Sequence, residues 1–174
     1  MTVATAPPGT DLSVLSALLW RERELLETVL YRLVVQQRLL AAGDVRWLAQ
    51  ADQDVYDALE AVREHDVLRA VEVELVARTN QLAPDVALRE IAAAAPEPWP
   101  ALLQDHRDAL RELTAQIDTT TAENRRLLVA GERATRDALE RAAGADPAAS
   151  DPAPAYPGHP HAVADTAHVL DWRV

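Results

Sequence analysis

Residues 101–144 read ALLQDHRDALRELTAQIDTTTAENRRLLVAGERATRDALERAAG. No proline interrupts the stretch and Gly144 supplies a stop, so the pattern predicts one long helix from about Ala101 to Ala143. Its seam runs through Leu103, His106, Leu110, Leu113, Ile117, Thr120, Asn124, Leu127, Gly131, Ala134 and Ala138, at alternating spacings of three and four residues. That repeat packs one helix lengthwise on another. The first half of the seam is apolar, whereas the second half places a Thr, an Asn, a Gly and alanines on the same stripe. Two readings stay open. A buried Asn fixes register at a cost in stability while Gly131 permits close helix approach; alternatively, this half is poorly satisfied alone and receives a partner segment along Leu127 and Leu128.

On the N-terminal side, Pro96, Pro98 and Pro100 bracket Trp99 and force a corner. Asp85 to Ala95 fits a third, minor helix. Before Pro84, a second long helix starts at Asp44 and ends near Asn80 and Gln81. Its stripe is Leu48, Ala51, Val55, Ala58, Val62 and His65, and then slips by a residue to Leu68, Val71 and Leu75. The other face is acidic, with Asp52, Asp54, Asp57, Glu60, Glu64, Asp66, Glu72 and Glu74, a solvated face or a docking surface for a basic partner. Gly43 and Asp44 make a very short turn, Asp44 capping the second helix at once, so the first two helices must be antiparallel neighbours. The first runs from Asp11 to Ala42 on a seam of Leu12, Leu15, Leu19, Leu26, Val29, Leu33 and Leu40, with Glu22 and Gln36 as its polar members. At 1.5 Å per residue it spans about 45 to 50 Å.

The expected fold is therefore all-α: an elongated antiparallel helical bundle or coiled coil of three long helices plus one short helix. Residues 1–10 form a flexible arm, 11–144 the bundle and 145–174 a disordered tail rich in Pro and Ala. The tail ends with Val169, Leu170, Trp172 and Val174, either a terminus folding back on the bundle or a short linear recognition motif.

Composition excludes much chemistry. The 174 residues carry 17 basic and 28 acidic side chains for a net charge of -11, with no Cys, and every basic residue is Arg. Thiolate metal sites, thiol nucleophiles, disulfides and Schiff-base lysines are thus absent. Five scattered glycines build no phosphate loop. The negative charge argues against nucleic acid and anionic membrane. No apolar run reaches the length of a membrane span and no signal peptide is apparent, which points to the cytoplasm.

Titratable groups do not assemble into a catalytic pattern either. The helices contain no Glu-x-x-His, the signature of a di-iron bundle. His65 and His106 lie on apolar seams and read as hydrogen-bonded core residues, while His159, His161, Asp165 and His168 sit in the tail without a supporting shell. Ser13, Ser16 and Ser150 have no base and orienting acid nearby in sequence. Trp20, Trp47 and Trp99 read as boundary packing, leaving Trp172 for a partner. No catalytic residue, metal or cofactor is expected.

Three stretches carry a resemblance. They are Leu39-Leu40-Ala41-Ala42-Gly43-Asp44 between the first two helices, Ala95-Pro96-Glu97-Pro98-Trp99 leading into Leu102-Leu103-Gln104-Asp105-His106-Arg107, and Glu123-Asn124-Arg125-Arg126-Leu127-Leu128. In this order and spacing, from about Leu15 to Ala143, the chain resembles the FlgN-type flagellar export chaperones in their high-GC bacterial form. The resemblance implies a cytosolic, non-enzymatic type III export chaperone that binds hook-associated (hook–filament junction) proteins, prevents their premature assembly and delivers them to the flagellar export apparatus. It also implies client binding toward the C-terminal part, which here means Asn124, Arg125, Leu127, Leu128, Gly131 and Ala134, with Val169, Leu170, Trp172 and Val174 as a candidate tail motif. Arg125 and Arg126 would border that groove. The competing reading is a structural coiled-coil adaptor that self-associates, a homo-oligomer in the absence of client.

Overall fold

A computed structural model describes residues 10–83 and 86–145, so the arm and the tail lie outside the described residues. Four helices follow one another: α1 (Thr10–Ala42), α2 (Leu48–Thr79), the short α3 (Leu88–Ala94) and α4 (Trp99–Ala145). The expected all-α bundle of three long helices and one short one is what forms. Helix α1 is the spine, making the principal contacts with both α2 and α4, while α3 packs on α4. Cross-helix bonds give the directions. Arg32 reaches Asp54 at 3.0 Å and His65 Nε2 donates to the Leu18 carbonyl at 2.9 Å, so α1 and α2 are antiparallel. Ser16 meets His106 and Leu33 meets Asn124, so α4 runs parallel to α1.

Burial follows the α1 seam as the spacing predicts. Leu12, Leu15, Leu19, Leu26, Val29 and Leu33 are nearly inaccessible, as are their counterparts Val62, Leu103 and Ile117. Ile91 and Ala92 bring α3 into the same core. Truncating any of these leucines to Ala would remove packing worth about 2–5 kcal/mol.

Both long helices of the first hairpin end in the same backbone motif. Gly43, at φ +67°, donates to the Leu40 carbonyl, and Asp44 N–H to that of Leu39. Asp44 does not cap the next helix as its position suggested: its side chain makes no capping bond, and a 3-10 turn, Val45–Trp47, precedes α2. The physical reason is that the Schellman closure of α1 uses the Asp44 backbone, which delays the helix start by a few residues. At the end of α2, Gln81 adopts φ +59° and the Leu82 N–H bonds to the Ala77 carbonyl. A non-glycine residue there is disfavoured. Gln81→Gly is expected to stabilise the fold by about 0.5–1 kcal/mol, read as a rise in urea midpoint at unchanged slope.

Three sequence expectations need correction. Leu68, Val71 and Leu75, read as a continuation of the α2 seam, are exposed; the buried line instead passes through His65 to Val76 and Ala77. Gly131, Ala134 and Ala138 are exposed, and a Cβ at Gly131 would meet nothing within 4 Å, so this glycine does not serve close helix approach. Trp20 and Trp47 are more than half exposed rather than packed at a boundary. In the first two cases the periodicity correctly groups residues on a face, but among the described residues no neighbouring helix arrives to cover it; Trp20 meets α4 at the His106 ring, with centroids 5.2 Å apart.

Candidate functional site: the projecting end of α4

Two contacts set where α4 leaves the bundle. Ser16 Oγ lies 3.1 Å from His106 Nε2, and Asn124 Nδ2 donates to the Leu33 carbonyl at 3.0 Å and to Gln36 Oε1 at 2.7 Å. Gln36 Nε2 in turn donates to Asp52 Oδ1 at 2.7 Å. One polar layer thus ties α1, α2 and α4 together, and Asn124 and Gln36 are almost completely buried in it. Apolar layers tolerate sliding, whereas this one makes its buried amide N–H bonds in a single register, with Asn124 Oδ1 left buried without a partner.

Carried forward from Asn124 beside Leu33, that register brings α4 level with the end of α1 at about residue 133. The helix nevertheless continues to Ala145. At 1.5 Å per residue, the part beyond Arg133 extends about 18 Å past the level of Ala42. The cause is legible in the lengths, 33 residues for α1 against 47 for α4. Leu127 and Leu128 are half-buried at the exit from the bundle, and every side chain from Val129 to Gly144 is exposed.

The projecting part is amphipathic without being covered. Leu127, Gly131, Ala134, Ala138 and Ala142 lie at helical spacing, and exposed Leu139 lies beside them, while exposed Val129 is on the opposite face. Arg126 pairs with Glu123 at 3.4 Å on the surface, and Thr135 Oγ1 donates to the Gly131 carbonyl at 2.9 Å. A helix that no other described residue supports is held by its Ala, Leu, Arg and Glu content, which is marginal at this length. Amide hydrogens from Glu132 to Ala143 are therefore expected to exchange at least about a hundredfold faster than those from Leu103 to Ile117, measured by mass spectrometry on the free protein.

The sequence-selected residues divide accordingly. Arg125, Leu127, Leu128, Gly131 and Ala134 lie on or at the root of the projecting part. Asn124 is in the core, and its amide is committed to α1, so its role is to set register. Val169, Leu170, Trp172 and Val174 lie outside the described residues. Leu139 was missed, because it does not fall on the buried repeat; the surplus length of the last helix was the available signal.

Other clusters have structural duties. Glu22 faces Arg69 at 3.3 Å in a nearly inaccessible position, and burial raises its carboxyl pKa to about 8, only partly offset by Arg69. Burial also pushes the His106 imidazole below its ordinary value, helped by Arg23, whose guanidinium lies over the Trp20 ring at 4.4 Å. Among the described residues no group of three or more His, Asp or Glu gathers as a metal site, and no helix is long and apolar enough to cross a membrane.

Neither the curated proteins nor the solved structures provide a match. A family model described as FlgN protein matches residues 11–141, from the first turn of α1 through most of the projecting part of α4. With the match covering most of its length, this chain belongs to the FlgN family, and its kind of function is that of a flagellar export chaperone.

Proposed function

We propose that the protein is a cytosolic type III export chaperone that binds hook-associated proteins, masks their assembly-competent segments and delivers them to the flagellar export apparatus. The observation that supports this reading is the part of α4 beyond the bundle, which exposes an apolar stripe that the chain's own described residues leave open. A client segment with an amphipathic helical tendency would lay its apolar face along Leu127, Leu128, Gly131 and Ala134. Gly131 and the alanines then serve close approach of the client; among the described residues, a Cβ at Gly131 would meet nothing within 4 Å. Arg125 borders the stripe and is placed to meet client carboxylates. No reactive group is required for masking by burial.

Co-expression with candidate hook-associated proteins, followed by size-exclusion chromatography, tests the reading. A co-eluting complex that persists at tens of micromolar is the expected result, and separate elution of both proteins would refute it.

A further inference from the structure

Toward and beyond the end of α1, the face of α4 that packs on α1 lower down comes to lie over the α1–α2 turn. Continued past Asn124 at helical spacing, that face carries Leu128, Gly131, Ala138, Leu139 and Ala142, of which Leu139 is 59% exposed. The turn at its foot exposes Val45 and Trp47, by 73% and 53%. Helix end and turn thus form a corner with apolar groups on both sides. Charge sets this corner apart from the rest of the molecule. From residue 125 to 145 arginines outnumber carboxylates, in a chain whose net charge is -11. By helical position, Arg125 and Arg136 border the stripe on one side and Arg141 on the other.

The occupant that fits is the chain's own C-terminal segment. Residues 146–174 follow α4 directly and hold a single arginine, Arg173, against Asp146, Asp151, Asp165 and Asp171. Their large apolar groups gather at Val169, Leu170, Trp172 and Val174, with Asp171 among them. An acidic segment with bulky apolar side chains therefore complements a corner bordered by arginines. The tether permits the contact. Residues 146–168 reach about 75 Å at most, and the corner lies about 18 Å back along α4 from Ala145. Attachment on that scale corresponds to an effective concentration on the order of millimolar, which favours this segment over a separate molecule of equal complementarity. The open row of Leu68, Val71 and Leu75 on α2 is no alternative for it, because Glu64 and Glu72 border that row and repel an acidic segment.

We propose that residues 169–174 dock on the projecting end of α4, above the α1–α2 turn, and keep the client face closed until a client displaces them. The docking needs no client; only the competition rests on the function proposed above. A face occupied by its own chain lowers the apparent affinity for a client by the fraction of molecules left open, and so reserves it for segments that bind well enough to pay that cost.

Hydrogen exchange of the free full chain, read by mass spectrometry, decides the docking. Residues 132–143 should exchange about tenfold faster in Trp172→Asp than in wild type, with residues 103–117 unchanged. Asp165→Arg combined with Asp171→Arg removes the complementary charge and leaves the apolar groups, and should accelerate the same stretch at least about threefold. Equal rates in wild type and both variants, or an acceleration that extends to residues 103–117, overturns the proposal. So does protection of residues 132–143 that grows with protein concentration between about 1 and 100 µM, since a second molecule would then be the occupant. Titration with hook-associated proteins decides the competition: Trp172→Asp should bind them about tenfold more tightly than wild type, and an unchanged affinity overturns it. Should neither chain bind them, the proposed function falls, while the exchange rates still decide the docking.

Discussion

Leu110→Asp is expected to abolish the cooperative thermal transition, whereas Leu128→Asp preserves it and weakens client binding at least about tenfold. Leu110 is buried between α4 and α1, where an aspartate would be desolvated without a partner. Burying such a group costs at least about 4 kcal/mol, which is most of what holds a domain of this size together. Leu128 is half-buried at the exit of α4 from the bundle, and its Asp variant can turn toward water. Its folding cost should stay near 1 kcal/mol. If Leu128 anchors the client segment, the same charge is trapped in the complex, and a tenfold loss corresponds to about 1.4 kcal/mol. Circular dichroism melts paired with binding titrations separate the two effects. Should Leu128→Asp unfold the protein as Leu110→Asp does, the docking assignment to α4 is lost.

The second large effect concerns pH. Glu22 is 1% exposed on the α1 face toward α2, and both carboxyl oxygens lack a hydrogen-bond partner despite the nearby Arg69. Burial, the largest cause, lifts its pKa from 4.5 to about 8; Arg69 opposes the rise and Asp66 adds to it. The folded state then holds a proton that the unfolded state releases. Stability from this group is fully present below pH 4.5 and is lost as pH rises through about 8. Burial likewise raises the Asp66 carboxyl, against the opposing pull of Arg69, so its contribution has the same sign. Across that interval the loss due to Glu22 is on the order of 3–5 kcal/mol.

Glu22→Gln keeps the shape and removes the titration. Its urea midpoint should therefore match wild type near pH 5 and exceed it at pH 9, by on the order of 2–4 kcal/mol in extrapolated stability. A difference that does not change with pH would mean that Glu22 is ionised in the fold throughout, with Arg69 compensating its burial.

The register of the bundle was partly legible in advance. Asn124 and Gln36 stand out as polar residues on otherwise apolar repeats, and both readings of Asn124 were open from spacing alone. The structure shows the amide bonded to the Leu33 carbonyl and to Gln36, which makes it a register device and removes it from the surface. Arg125, Leu127 and Leu128 follow it in sequence but lie where α4 parts from α1. Adjacent residues thus divide between core and candidate site, a boundary that depends on where a different helix ends.

Sequence alone determined the helices, their order and the face of each that is apolar. Seams such as Leu12 to Leu33 need only the 3.6-residue period, a local property of the chain, and the Gly43 stop needs only one residue that accepts φ +67°. What tertiary structure decided was which faces find a neighbour. Leu68, Val71 and Leu75 carry the same spacing as buried Leu12, Leu15 and Leu19, yet remain open because α1 meets α2 along the His65 and Val76 line. Gly131 and Ala134 continue the repeat of Leu103 and Ile117, yet stand in solvent because α1 stops at Ala42. Periodicity is written by one helix, whereas burial requires two, and the second helix enters only through packing.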